Sequence, residues 1–135
     1  MDASLRALVR RRAGDRCEYC HLRQDHEPFL PFHVEHVVAR KHGGPDAESN
    51  LAWSCNHCNL SKSSNLTGID SRTRKIVRLF HPRRHQWGRH FRWDGAILVG
   101  RTPVGRAPVA VLQINHPDRV ALRQALIDAG LFPQS

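Results

Sequence analysis

Apolar positions along the chain fall into short runs whose spacing changes from helical to strand-like and back. Leu5, Leu8 and Val9 recur at helical spacing, which predicts a helix over 2–13, capped by Asp2 or Ser4 and stopped by Gly14. "CEYC" (17–20) follows as a turn. The polar, proline-flanked stretch 22–31 reads as a loop. "FHVEHVV" (32–38) and "LAWS" (51–54) read as two short strands, and Gly43, Gly44 and Pro45 mark the loop between them. A helix is expected over about 56–66, ended by Gly68. A basic connector (70–90) leads into "FRWDGAILVG", where Asp94-Gly95 between two strand-like runs signals a hairpin. Residues 102–113 read as a helix starting at Thr102-Pro103, although Pro108 falls where a helix interior would lose a hydrogen bond. A last helix runs from Pro117 to about Gly130 over Val120, Leu122, Leu126 and Ile127. The expected class is α+β, with no internal repeat and no low-complexity tract.

Composition narrows this picture. At 135 residues and 40% hydrophobic, one domain (1–135) with a modest core is expected, of a size that often needs a metal staple. Lys and Arg number 21 against 12 Asp and Glu, a formal charge of +9. A polyanionic partner follows, nucleic acid first, with a basic surface kept for solubility as the plainer reading. No apolar run approaches the ~18–20 residues of a membrane span. The N-terminal stretch has arginines but no continuous apolar segment, so a cytoplasmic protein is the expectation.

The four cysteines form two Cys-x-x-Cys pairs, Cys17/Cys20 and Cys55/Cys58. Each pair offers two thiolates on one tight turn, a good bite for a tetrahedral ion. The 34 residues between the pairs exceed the ~15–20 of a plain zinc ribbon, leaving room for a loop and two strands. A structural Zn²⁺ on all four sulfurs is expected. It would leave no open position for substrate, so any chemistry needs other ligands. Four unrelated buried thiols, or a redox pair, are the alternatives; no thioredoxin-like pattern surrounds either pair.

Inside this frame, "HVEH" poses a geometric question. On a regular strand His33 and Glu35 share a face and His36 points the other way. "CEYC", then "FHVEHVVARKHGG", then "SNLAWSCNHCNLSKS" together resemble the HNH endonuclease family, in its subset with a four-cysteine zinc frame. The resemblance covers about 16–62 and implies a ββα-metal finger: two strands, a loop, and a helix clasping one divalent ion. The core finger would span about 16–66, with an N-terminal helix before it and a hairpin-plus-helix extension over 67–135.

The resemblance also implies residue roles. His36 matches the general base that takes a proton from the attacking water. Glu35 matches the acidic metal ligand, Asn50 the residue that pins the loop and orients the base, and Asn59 a second metal ligand. The implied activity is Mg²⁺- or Mn²⁺-dependent hydrolysis of DNA phosphodiesters, leaving 5′-phosphate and 3′-hydroxyl ends. The residue types suit the roles. A neutral imidazole is a fit base near neutral pH. A carboxylate and an amide oxygen are hard ligands for Mg²⁺. Two departures stand out: Glu where the family more often has Asp, and Asn where it often has His.

Other candidates are weaker. Lys41, His42 and Lys62 are possible phosphate contacts, with a solvated side chain as the default. His33 is the same-face rival to His36. Trp87, Trp93, Phe80 and Phe91 among arginines read as a second small core rather than a stacking surface. The twin expectations are a duplex-DNA endonuclease, monomer or homodimer, and a non-catalytic zinc-dependent nucleic-acid-binding module. RNA cleavage is a third option. For Glu35 and His36 to act together, the strand is expected to twist or break around them.

Overall fold

Asp2 starts the first helix, α1 (Ala3–Arg12): its carboxylate accepts from the Ser4 amide at 2.6 Å, and three arginines close the last turn, where the dipole favours cations. This computed structural model describes residues 1–133. They divide into two compact units. The first is Met1–Leu66 with His81–Arg84; the second is Thr67–Phe80 with the chain from His85 onward.

In the first unit, β1 (His33–His36) and β2 (Leu51–Ser54) form an antiparallel pair with Glu35 opposite Ala52 and His36 opposite Leu51. β2 is buried along its whole length, between α1 and β1. Trp53 is 1% exposed, with Phe32 tilted against its ring and the guanidinium of Arg6 5.1 Å from the ring centroid. Helix α2 (Asn56–Lys62) lies against β1. It is shorter than the expected 56–66, because Ser63 turns to φ 50° and ends it before Gly68. The segment 81–84 belongs to this unit: Arg83 is ion-paired with Glu18 of the first cysteine turn.

In the second unit, the connector is not featureless. β3 (Thr67–Ile69) and β4 (Ile76–Arg78) form a hairpin, with Asp70 accepting from Thr73 Oγ1 at 2.7 Å across the turn. Asp70 also accepts from two nitrogens of Arg106, Nε and one terminal nitrogen, at 2.7 and 3.2 Å. A four-residue helix, α3 (Trp87–His90), precedes β5 (Phe91–Asp94) and β6 (Ile97–Gly100), joined through the expected Asp94-Gly95 turn with Gly95 at φ 57°. Helix α4 (Pro103–Val111) forms despite Pro108: Thr102 caps it, and the one lost bond is that to the Val104 carbonyl. Gly105 lets α4 lie against the chain at His90, whose carbonyl oxygen would sit 2.0 Å from an added Cβ. Helix α5 (Pro117–Asp128) supplies Arg123, buried at 2% exposure, which donates to the Ala96 and Ile114 carbonyls. The aromatics pack as a small core: Phe80 and Phe91 are buried with ring centroids 5.1 Å apart, and Trp87 lies 5.2 Å from Phe91. Among the described residues no helix is long and apolar enough to cross a membrane.

Candidate metal and catalytic site

The cysteine turns converge. Cys17 Sγ accepts from the Cys20 amide at 3.5 Å, and Cys55, the N-cap of α2, accepts from the Cys58 amide at 3.4 Å. All four are buried, and their sulfurs lie within 4.8 Å of one another. Cys20 and Cys55 Sγ are 3.7 Å apart. A tetrahedron with Zn–S bonds of about 2.3 Å has edges of about 3.8 Å, so this donor set fits zinc in size and softness. The thiols push one another apart in acidity. Hydrogen bonds from Cys17 first, then Cys55 and Cys58, hold Cys20 well below the ordinary thiol range. The same crowding, led by Cys17, pushes Cys55 and Cys58 well above it. A dication is what lets four thiols this close ionise together.

Both residues between the first two cysteines reach inward. Glu18 Oε2 accepts from the Trp53 amide at 2.8 Å. The Tyr19 hydroxyl donates to Glu35 Oε1. Glu35 is 4% exposed, and the Lys62 ammonium lies 3.5 Å from its other oxygen, Oε2. That oxygen is buried without a hydrogen-bond partner. Burial pushes the Glu35 carboxyl above its ordinary range, against the pull of Lys62 and Tyr19.

The fold corrects the sequence expectation of a solvent-facing Lys62 available to phosphate. It is 2% exposed and donates to the Val37 carbonyl at 2.9 Å, so its charge is turned inward. Lys41 and His42 are exposed, on a single 3-10 turn (Arg40–His42) in the loop after β1.

β1 neither breaks nor bulges within His33–His36. His33 and Glu35 share a face, and His33 Nε2 lies 3.0 Å from Asn56 Oδ1. His36 is the last strand residue, with its side chain 16% exposed. At this strand end Glu35 and His36 nonetheless line one open pocket of about 300 Å³, together with Val34, Ala39, Arg40, Asn59, Ser63 and Ser64. Asn59 brings its amide there from the middle of α2. Asn50 lies outside the pocket and ties the loop. Its Oδ1 accepts from the Val38 amide, and its Nδ2 donates to the Val38 and Pro45 carbonyls, all at 2.9 Å. Gly44 makes that closure possible, since a Cβ there would come 1.7 Å from the Val38 oxygen.

Three contacts at the site lay outside the sequence reading: Tyr19 on Glu35, Lys62 on Glu35, and Asp46 on His36. Asp46 Oδ1 lies 2.6 Å from His36 Nε2, and Arg40 grips the same carboxylate at 3.0 and 3.2 Å. Only Tyr19 carried a signal, an aromatic held by position inside a Cys-x-x-Cys turn.

A two-strand, one-helix finger framed by four cysteines, with a carboxylate, an imidazole and an amide at one pocket, defines a class of small metal-binding domain. Residues 17–65 match the family model described as HNH endonuclease, the family the sequence resembles. No curated protein and no solved structure shows significant similarity to the chain.

Proposed function

We propose that the chain is a divalent-metal-dependent DNA endonuclease whose chemistry is centred on His36, Glu35, Asn50 and Asn59. The observation that carries this reading is the pocket at the end of β1. It gathers a buried carboxylate with one oxygen that takes no hydrogen bond, a side-chain amide and an imidazole. Glu35 and Asn59 would hold Mg²⁺ or Mn²⁺, a hard donor pair that leaves room for water and phosphate in the shell. Bound there, the ion supplies charge stabilisation at the scissile phosphate. His36 takes a proton from water as its oxygen bonds to phosphorus. The P–O3′ bond breaks with its electron pair on O3′, which takes a proton from solvent, leaving 5′-phosphate and 3′-hydroxyl ends. The four cysteines hold a structural Zn²⁺. The formal charge of +9 fits a duplex-DNA partner, and steep salt dependence of binding follows. The two compact units then act as one functional domain over 1–135.

A second reading, a non-catalytic zinc-dependent nucleic-acid-binding module, is favoured by one contact: Lys62 already lies against Glu35 as a cation. Plasmid nicking with Mg²⁺ or Mn²⁺ separates the two. The wild-type protein and His33→Ala should relax supercoiled plasmid, and His36→Ala should not. If all three leave the plasmid intact across metals and salt, the binding-module reading stands. A labelled RNA in the same assay tests RNA cleavage.

A further inference from the structure

Among the contacts at the pocket, the one made by Asp46 has no counterpart in the roles above. A carboxylate can only accept, so the nitrogen it faces, His36 Nε2, carries the proton. The lone pair of the neutral ring is then on Nδ1. Arg40 holds Asp46 through both oxygens, which fixes the direction of the contact. Asp46 lies two residues beyond Gly44, in the loop that Asn50 ties shut.

From this geometry we infer that Asp46 is a positioning residue for His36: it sets the ring's tautomer and orientation so that Nδ1 is the nitrogen that takes the proton. This deepens the nuclease reading and rests on it. Asp46 touches neither substrate nor ion; it acts through the imidazole. A carboxylate behind a basic histidine also steadies the imidazolium that proton transfer creates. Arg40, which lines the pocket as well, acts one step further back by holding the carboxylate in place.

The test uses the full-length, zinc-loaded chain and the variants Asp46→Asn, Asp46→Ala and His36→Ala, with His36→Ala/Asp46→Ala as the double. Asp46 is exposed, so the single variants should keep the fold; bound zinc and far-UV circular dichroism check this. On a labelled duplex with saturating Mg²⁺, Asp46→Ala should lower kcat about ten- to a hundredfold, with KM within about threefold. Asp46→Asn should lose less, because its amide oxygen still accepts from Nε2–H. In the His36→Ala background, adding Asp46→Ala should change nothing. A rise in KM with kcat untouched would make Asp46 a DNA contact and overturn the proposal.

A second readout does not depend on cleavage. Long-range ¹H–¹⁵N spectra should show His36 as the Nε2–H tautomer in the wild type and a mixture in Asp46→Ala. An Nδ1–H tautomer in the wild type, or spectra unchanged by the substitution, would overturn the positioning role. A wild type that cleaves nothing yet shows the Nε2–H tautomer refutes the nuclease reading and with it the catalytic sense of this one, leaving only the structural link.

Discussion

Replacing Lys62 by methionine should cost the first unit about 3–5 kcal/mol, the usual penalty for stranding one member of a buried ion pair. Lys62 and Glu35 are 2% and 4% exposed, with the ammonium 3.5 Å from Oε2. At an effective dielectric of about 20, charges at that distance attract by about 5 kcal/mol. Desolvation of both ions offsets most of this, so the intact pair adds little on balance while the loss of one partner is expensive. Methionine fills the space of the stem but leaves the Val37 carbonyl without its donor and Glu35 with only the Tyr19 hydroxyl. The sign with pH follows from Glu35. Burial already raises its carboxyl in the folded state, and removing Lys62 raises it further. A raised carboxyl stabilises the fold at low pH and loses that contribution as pH rises through the folded value. The deficit of Lys62→Met should therefore widen as pH rises above the ordinary glutamate range. Pairing it with Glu35→Gln should recover much of the loss. Urea unfolding followed by far-UV circular dichroism, with zinc release read by a colorimetric chelator, measures both. A Lys62→Met protein within about 1 kcal/mol of wild type, or a deficit flat with pH, would refute the buried-pair account.

Two further outcomes are expected. Stripping the bound metal with a strong chelator, or Cys17→Ser, should unfold the first unit, since structural zinc in small fingers supplies about 10–16 kcal/mol; circular dichroism before and after zinc is restored reads this. In the second unit, the Arg106 guanidinium, helped by Thr73, holds the Asp70 carboxyl far below its ordinary range. A depressed carboxyl stabilises above its unfolded value and loses that contribution as pH falls, so stability should drop below about pH 4 and Asp70→Asn should flatten that drop in an acid titration.

Much of this architecture could be read from residues whose local chemistry has few alternatives. Asp2 capped α1, Asp94-Gly95 turned the β5–β6 hairpin, and α5 started at Pro117. The β3–β4 hairpin leaves no hydropathy signal in the sequence, for a physical reason. Its paired isoleucines, Ile69 and Ile76, face outward, and the inward position opposite Val77 is Gly68. An added Cβ on Gly68 would lie 2.6 Å from Val111, so the packing needs a residue with no side chain and therefore no hydropathy signal. Lys62 gives none either, because a lysine is by default solvated; its burial depends on two acceptors 25 and 27 residues back along the chain. The Glu35–His36 puzzle needed no break in the strand. Placing the pair at the end of β1 let both faces reach the rim of one pocket.

Tyr19 sits between Cys17 and Cys20, and its hydroxyl holds Glu35. On the proposed reading, that turn couples the zinc frame to the second metal site through one hydroxyl. Zinc on the first cysteine pair, on that reading, holds the turn that carries the phenol, and with it the clamp on the carboxylate of the second metal site. The order of loading it implies is zinc before magnesium. On the same reading, a thiol oxidant or zinc scavenger acting on the buried sulfurs would silence the pocket without entering it.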